Sequence, residues 1–235
     1  MNKTHQEKKQ IWALVPAAGV GARMAADKPK QYISINGRTI LEHTLSVLLA
    51  VEGIAGVQLC LSPEDAYWPD IVLNHPRLLP VIDGGVTRAD SVLAGLQSLS
   101  KRAKPDDWVL VHDAARPCLT EDLLKKLIDS LFEHSIGGIL AVPVADTIKQ
   151  VENLEIKATV NRNKLWAAQT PQMFRFDLLK SCLEKALKQS IEITDEASCI
   201  EAAGFTPMID PSVRSNIKVT YPEDVDWVNH FLSDN

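Results

Sequence analysis

Short apolar runs rich in β-branched residues recur along the chain, and their alternation with other segments narrows the possible folds more than any other feature. Between the runs lie stretches whose apolar residues have helical spacing. Strands that alternate with helices predict a parallel sheet, because each crossover helix carries the chain back across one face. We therefore expect a doubly wound, mostly parallel α/β fold, with strands at residues 11–15, 54–61, 108–111 and 138–144.

Helix signals support this reading. Residues 39–50 begin with Thr39 and have Glu42 three positions later, which is a capping-box pattern. Thr120 and two acidic residues open residues 120–132 in a similar way. The remaining expected elements are helices at 177–188 and 195–203, a last helix after Pro222, and short strands at 206–209 and 217–220.

Residues 146–170 break the pattern, since they are polar and in places alternate between apolar and polar residues. A Glu-Asn pair at 152–153 is a turn candidate, so the segment predicts a β-hairpin that projects from the main sheet. No repeat or linker divides the chain. We therefore expect residues 1–235 to form one domain, with 146–170 as its projecting arm.

Composition excludes several classes of protein. The formal net charge of −5 argues against a nucleic-acid or membrane surface, so clustered cations should serve local chemistry. The apolar run that follows the polar N-terminus is too short for a signal peptide or a membrane span. The four cysteines lack metal-site spacing and read as reduced thiols. We expect a cytoplasmic protein.

The loop after the first strand has the composition of an anion site. It contains small residues that let backbone N–H groups approach a phosphate, followed by Arg23, Lys28 and Lys30. It is not a Walker A loop and lacks the third glycine of a dinucleotide fingerprint. A plain glycine turn with surface lysines is the alternative.

Polar residues also follow two other apolar runs, where open parallel sheets bind ligands. The stretch at 81–96 is a glycine turn before a helix that carries Ser91, for which a simple tight turn is the alternative. His112, Asp113 and Arg116 follow the strand at 108–111. Asp113 suits a Mg²⁺ ion that bridges to phosphate oxygens, or else a solvated strand end, and for His112 we favour a structural hydrogen bond.

Further polar positions are Arg162, Thr170, Thr194 and Lys218, the last a cation between two apolar residues. The sequence has no nucleophile elbow, no metalloprotease motif and no activated cysteine. The chemistry-bearing residues are therefore phosphate binders and one carboxylate.

An ordered set of motifs resembles the 2-C-methyl-D-erythritol 4-phosphate cytidylyltransferase family of the non-mevalonate isoprenoid pathway. The resemblance runs from Trp12 to about Leu232. It implies a Rossmann-like nucleotidyltransferase fold and transfer of CMP from CTP to a sugar-alcohol phosphate, with release of pyrophosphate. The motifs are PAAGVGARM, PKQY, ILEHTL, GGVTRADSV, VLVHDAARP, TPQMF, ITDEAS and NIKVTYPED.

The resemblance also implies roles for individual residues. Arg23 and Lys30 would neutralise charge on the phosphates, while Arg162 and Lys218 would orient the acceptor phosphate. Asp113 would bind Mg²⁺ or the nucleotide. The expected CTP contacts are Ala17, Ala18, Gly19, Gly85, Ser91, Asp113 and Ala114, and the expected methylerythritol phosphate contacts are Arg116, Thr147, Arg162, Thr170, Thr194 and Lys218.

In this family the hairpin is a dimerisation arm, so the resemblance implies a homodimer in which Thr147 and Arg162 act in the neighbouring subunit. Three positions, Val86, Asn161 and Ser215, stand where the family often has an acidic residue. The loss at Ser215 leaves open whether a second carboxylate lies near the metal.

Two alternative functions remain. A ribitol 5-phosphate cytidylyltransferase would share the fold and the chemistry, but HDAARP and TDEAS favour the erythritol substrate. A catalytically silent nucleotide-binding regulator would have no need for cations on both substrates.

Overall fold

The computed structural model describes residues 9–19 and 28–233. Its main sheet has seven strands among these residues, namely β1 (Ile11–Pro16), β4 (Ile54–Leu61), β5 (Ile82–Asp83), β6 (Trp108–Val111), β7 (Gly137–Pro143), β10 (Trp166–Arg175) and β11 (Met208–Pro211). They lie in the order β11-β7-β10-β6-β1-β4-β5. Two hairpins stand outside it, formed by β2 (Ser34–Ile35) with β3 (Arg38–Thr39) and by β8 (Ile148–Glu152) with β9 (Glu155–Val160).

The sheet is mostly parallel, as the alternating pattern predicts. β1 pairs in parallel with β4 and β6, β4 pairs with β5, and β11 pairs with β7. β10 is the exception, because it lies antiparallel between β6 and β7.

Helices cover both faces of this sheet. They are α1 (Ile40–Ala50), α2 (Arg88–Leu99), α3 (Glu121–Leu131), α4 (Phe176–Lys188) and α5 (Glu196–Ala202). The last helix, α6 (Glu223–Ser233), packs instead in a small separate cluster with Ile35 of β2 and Ile40 of α1. Alternate residues of β1 point to opposite faces, so Ala13 packs with α1 and α3 whereas Leu14 packs with α2, α4 and α5. This two-sided burial explains why β1 reads as a continuous apolar run.

The predicted helix starts are confirmed. Thr39 and Glu42 form the reciprocal capping box of α1, and the Thr120 side chain accepts the Leu123 N–H at the start of α3. α6 follows Pro222 as expected. The four cysteines are free and buried.

Three sequence predictions need correction. The strand expected at 206–209 lies two residues later, at Met208–Pro211. Residues 217–220 form no strand; the backbone there is held to the β6 end by the Val219 N–H, which donates to the Ala115 carbonyl at 2.8 Å. The segment 146–170 is only in part a hairpin, because from Trp166 onward it belongs to β10 in the main sheet.

The hairpin itself is present as β8 and β9. Its turn is centred one residue later than expected, on Asn153 and Leu154, whose φ angles are 49° and 65°. Positive φ at both central residues is the geometry that matches the twist of a two-residue hairpin. No helix in the described ranges has both the length and the apolar character needed to cross a membrane.

Candidate active site

The carboxyl ends of β1 and β6 and the turn before α2 enclose a cleft. Two hydrogen bonds fix the start of the loop that follows β1. The Ala17 N–H donates to the Cys60 carbonyl at 2.8 Å, and Gln31 Nε2 donates to the Ala17 carbonyl at 2.8 Å. Lys30 Nζ donates to the Val219 carbonyl at 3.0 Å, so its ammonium lies at the cleft wall. The predicted site residues that line this cleft are Ala17, Ala18, Gly19, Lys30, Gly85, Ser91, Asp113, Ala114 and Lys218.

The glycine turn before α2 is shaped by side-chain hydrogen bonds. Thr87 and Asp90 form a reciprocal capping box, and the buried hydroxyl of Ser91 accepts the Gly85 N–H at 3.0 Å. A Cβ at Gly85 would lie 2.2 Å from the Asp90 Cβ. Only glycine fits there, because any side chain would collide with Asp90 in the first turn of α2. Val86 lies fully exposed at the cleft edge.

Asp113 is surrounded by cations. Its Oδ1 lies 3.0 Å from Arg88 Nε, its Oδ2 lies 2.8 Å from Lys218 Nζ, and Arg116 Nε is 3.8 Å from Oδ2. Burial alone would raise the pKa of Asp113, but the charges of Arg88, Lys218 and Arg116 outweigh it and bring the pKa well below its ordinary value. The carboxylate is therefore ionised and holds three cations at one strand end.

Arg88 and Glu196 were not singled out from the sequence. Arg88 forms a two-pronged contact with the buried carboxylate of Glu196, with Nη1–Oε1 at 2.7 Å and Nη2–Oε2 at 3.0 Å. Burial opposes the charge of Arg88, but Glu196 and Asp113 raise its pKa. The available signals were an arginine at the first turn of a helix after a glycine turn and an acid within TDEAS. Neither shows that the two residues meet.

The described residues do not form a metal site by themselves. They contain no group of three or more His, Cys, Asp or Glu side chains arranged to hold an ion. Both carboxylate oxygens of Asp113 already have cationic partners, so an ion bound there would share these oxygens with Arg88 and Lys218. Mg²⁺ binding by Asp113 stays a prediction.

A second cleft adjoins the first and shares three of its residues, namely Arg88, Asp113 and Lys218. Its remaining predicted residues are Arg116, Thr170 and Thr194. Arg116 is held by Nη1, which donates to the Asn216 carbonyl at 2.7 Å. The shared wall places one carboxylate and two cations between two separate binding volumes.

His112, at the end of β6, is fully buried behind this wall. One ring nitrogen, Nδ1, lies 2.9 Å from Thr170 Oγ1, and the other, Nε2, lies 3.2 Å from the Arg116 carbonyl. Thr170 Oγ1 also accepts the Asp113 N–H at 3.0 Å. Burial lowers the pKa of His112 from 6.5 to about 4, so its imidazole is neutral at physiological pH.

Two of the predicted residues that the structure describes are not brought to these clefts within one chain. Thr147 and Arg162 lie exposed near the base of the hairpin, outside the lining of both clefts, and Arg162 Nη1 donates to the Ala145 carbonyl. Arg23 lies outside the described residues. Of the departures from the family pattern, Asn161 accepts the Asn163 N–H at 3.0 Å, and Ser215 lies outside both cleft linings.

Comparisons with known proteins agree with this geometry. A family model described as 2-C-methyl-D-erythritol 4-phosphate cytidylyltransferase matches residues 11–234. A protein of that name from Pseudomonas fluorescens is 48% identical over 220 residues, which cover 93% of this chain and 94% of the relative. One from Vibrio vulnificus is 49% identical over 223 residues and 94% of each chain.

Solved structures are similar over nearly the whole chain. A crystal structure of a 4-diphosphocytidyl-2C-methyl-D-erythritol synthase has a TM-score of 0.84 and 39% identity, covering 96% of this chain and 99% of the other. The Francisella tularensis 2-C-methyl-D-erythritol 4-phosphate cytidylyltransferase has a TM-score of 0.84 and 34% identity, covering 95% and 100%. The expected nucleotidyltransferase fold is confirmed.

Proposed function

The chain belongs to the 2-C-methyl-D-erythritol 4-phosphate cytidylyltransferase family, and from this premise we propose that its two adjoining clefts bind the two substrates of the reaction. The enzyme transfers CMP from CTP to 2-C-methyl-D-erythritol 4-phosphate, a step of isoprenoid precursor biosynthesis. The observation that carries the proposal is the shared wall of Arg88, Asp113 and Lys218. It brings the reacting phosphates together while the remainder of each substrate stays in its own cleft.

The reaction does not require a general base. A phosphate monoester is largely ionised at neutral pH, since its second pKa is about 6. Its oxygen forms a bond to the α-phosphorus of CTP, and the bond from that phosphorus to the bridging oxygen of pyrophosphate breaks. The protein must hold the two substrates in line and stabilise the charge that develops.

The first cleft is assigned to CTP. Its backbone after β1 and at the Gly85 turn can approach the nucleotide closely, because small residues line it. Lys30 lines this cleft in addition to the two cations of the shared wall, and we propose that it stabilises the transition state together with Arg23. The other nucleotide contacts proposed are Ala17, Ala18, Gly19, Gly85, Ser91, Asp113 and Ala114.

The second cleft is assigned to the acceptor. Lys218 and Arg116 supply positive charge for its phosphate, and Thr170 and Thr194 supply polar contacts. Asp113 holds Lys218 at 2.8 Å, so the ammonium is fixed in position before the substrate arrives. A Mg²⁺ ion would take most of its ligands from the CTP phosphates, because the described residues that line the cleft include one carboxylate, that of Asp113.

The hairpin of β8 and β9, within the segment 146–170, is proposed as the arm of a homodimer, and residues 1–235 as a single domain. Val151 and Ile156 face each other across the hairpin and are 52% and 64% exposed, and Leu154 at the tip is 97% exposed. An isolated two-stranded hairpin is marginal in water, so packing on a second chain would stabilise it. Thr147 and Arg162 would then reach the partner's second cleft.

The proposed location is the cytoplasm, where CTP is available and where free cysteines such as the four buried ones stay reduced. No nucleic acid or membrane is proposed as a partner, in keeping with the net charge of −5.

A pyrophosphate-release assay tests the assignment. CTP is compared with UTP, GTP and ATP, each with 2-C-methyl-D-erythritol 4-phosphate and with ribitol 5-phosphate. The expected result is release that needs CTP and the methylerythritol substrate together. A preference for ribitol 5-phosphate would indicate a ribitol 5-phosphate cytidylyltransferase instead. Nucleotide binding without pyrophosphate release from any substrate pair would indicate a catalytically silent regulator.

A further inference from the structure

His112 is a buried polar residue to which the reaction assigns no role. It lies behind the second cleft, between the backbone that carries Asp113 and Arg116 and the Thr170 side chain. Its two ring nitrogens have partners of different chemistry. The hydrogen-bond directions around it can therefore be worked out one after another.

The partner of Nε2 is the Arg116 carbonyl, which can only accept, so Nε2 carries the imidazole proton. In a neutral ring Nδ1 is then a bare acceptor, and the Thr170 hydroxyl must donate to it over 2.9 Å. The Asp113 N–H fills one lone pair of Thr170 Oγ1 at 3.0 Å. Thr170 Oγ1 then has one lone pair left, so it can accept one more hydrogen bond but cannot donate another.

We propose that His112 is a positioning residue that commits the Thr170 hydroxyl proton inward, so that Thr170 presents the second cleft with an acceptor. A ligand group that contacts Oγ1 must then be a donor, such as a hydroxyl of the polyol chain. A phosphate oxygen, which only accepts, would face an oxygen lone pair there. The inference rests on the proposed assignment of the second cleft to the acceptor substrate.

For substrate specificity, this means that the second cleft has hydrogen-bond donors at one place and an acceptor at another. Phosphate is directed to Lys218 and Arg116, which only donate, and is rejected at Thr170. A polyol phosphate can therefore enter in one direction, with its phosphate toward the wall shared with CTP. This ordering requires a fixed hydroxyl rotor, which His112 supplies.

The test uses two substitutions of His112 that each keep one half of the imidazole. In His112→Gln the amide extends to the Nε2 position and can donate to the Arg116 carbonyl, but Thr170 loses its acceptor. In His112→Asn the amide oxygen replaces Nδ1 as that acceptor. We expect His112→Gln to raise KM for 2-C-methyl-D-erythritol 4-phosphate about tenfold with little change in KM for CTP, and His112→Asn to restore most of it.

Thr170→Val makes the test specific for action through Thr170. If His112 acts by this route, His112→Gln adds no further rise in KM on the Thr170→Val background. The inference would be overturned if His112→Gln alone left the acceptor KM unchanged. It would also be overturned if His112→Gln raised the acceptor KM as much on the Thr170→Val background as it does alone. A merely structural role would instead raise both substrates' KM values together with a lower melting temperature.

A measurement on the unmodified enzyme keeps the inference testable if a variant does not fold. Nitrogen NMR of the histidine ring at neutral pH should show the proton of His112 on Nε2. A proton on Nδ1 would overturn the proposal. This readout needs no substrate, so it separates failure of the inference from failure of the acceptor assignment.

Discussion

At the scale of residues, the carboxylate of Asp113 works as a fixed anchor for cations. Removing its charge would leave Lys218, Arg88 and Arg116 close together without a counter-charge, although Arg88 would keep Glu196. Repulsion among them would disturb both clefts, since Arg88 and Lys218 line each one. A loss of activity after removal of this charge would therefore not by itself show that Asp113 binds a metal.

Lys30→Ala tests the transition-state role proposed for the first cleft. The ammonium is held near the cleft by the Val219 carbonyl and should act mainly on charge that develops during transfer. Loss of one such donor costs roughly 3 kcal/mol, so kcat should fall about a hundredfold or more while KM for CTP changes little. Steady-state kinetics with both substrates measure this.

Lys28→Ala is the matched control, because Lys28 is exposed and lies outside the lining of both clefts. It should keep near wild-type kcat. A Lys30→Ala enzyme that turns over as fast as the Lys28→Ala enzyme would show that Lys30 has no catalytic role.

His112 makes stability depend on pH. Its folded pKa of about 4 lies below the ordinary 6.5, so between these values the unfolded chain binds more protons. Stability is therefore fully present above pH 6.5 and is lost as pH falls toward the folded pKa. From pH 7 to pH 5 this residue should remove about 2 kcal/mol of the free energy of unfolding.

Urea unfolding of the wild type and of His112→Gln at matched pH values isolates this contribution, since other titrating groups are common to both. The difference between their free energies of unfolding should shrink as pH falls. Parallel pH profiles would mean that His112 is not kept neutral in the folded protein.

The candidate phosphate-site residues could be picked out from the sequence, because small residues and cations that follow a strand have few structural uses. Lys30, Asp113 and Lys218 do lie together. The Arg88–Glu196 pair was not predictable, because its partners are 108 residues apart and each has an ordinary local explanation at a helix start. Such a contact is a property of the folded chain.

At the scale of elements, β10 shows where sequence periodicity fails. Residues 169–174 are all buried, yet they include two glutamines and a proline, a composition typical of a loop. The fold uses Gln172 to tie β10 to α5: its Nε2 donates to Asp195 at 2.8 Å and its Oε1 accepts the Ala197 N–H at 2.9 Å. Satisfied hydrogen bonds let a polar strand be buried.

The opposite error occurs at 217–220, where β-branched residues suggested a strand. There the chain makes a backbone hydrogen bond to the β6 end but no ladder, and it carries Lys218 to Asp113. Residues with high strand propensity are those whose side chains fit a half-buried, extended backbone. An extended loop offers the same environment, so it can have the same composition as a strand.

At the scale of the whole molecule, the proposed arm predicts active sites shared between two chains. Lys30→Ala and Arg162→Ala each damage a different part of a shared site, and each homodimer should have low activity. Mixed under subunit exchange, they should regain partial activity, because a heterodimer holds one site with an intact cleft and an intact arm. Activity is measured against the verified fraction of heterodimer.

The defect expected for the Arg162→Ala homodimer depends on the contact between Arg162 and the acceptor phosphate. Removal of an arginine that pairs with a phosphate loses roughly 1.5–3 kcal/mol and should appear mainly as a raised KM for the acceptor. Verified heterodimers with no more activity than the two parents would exclude the shared site and leave the cytidylyltransferase activity unaffected.

The buried Arg116 guanidinium has a consequence for the protein in the cell. Its Nε has no hydrogen-bond acceptor among the described residues, and the nearest Asp113 oxygen is 3.8 Å away. A buried donor left in this state costs free energy, and a ligand oxygen in the second cleft would remove that cost. A ligand that binds only the folded chain stabilises it in proportion to the logarithm of its concentration. In a cell, a shortage of acceptor should therefore increase the fraction of unfolded chain that proteases degrade, and a surplus should preserve the enzyme that consumes it.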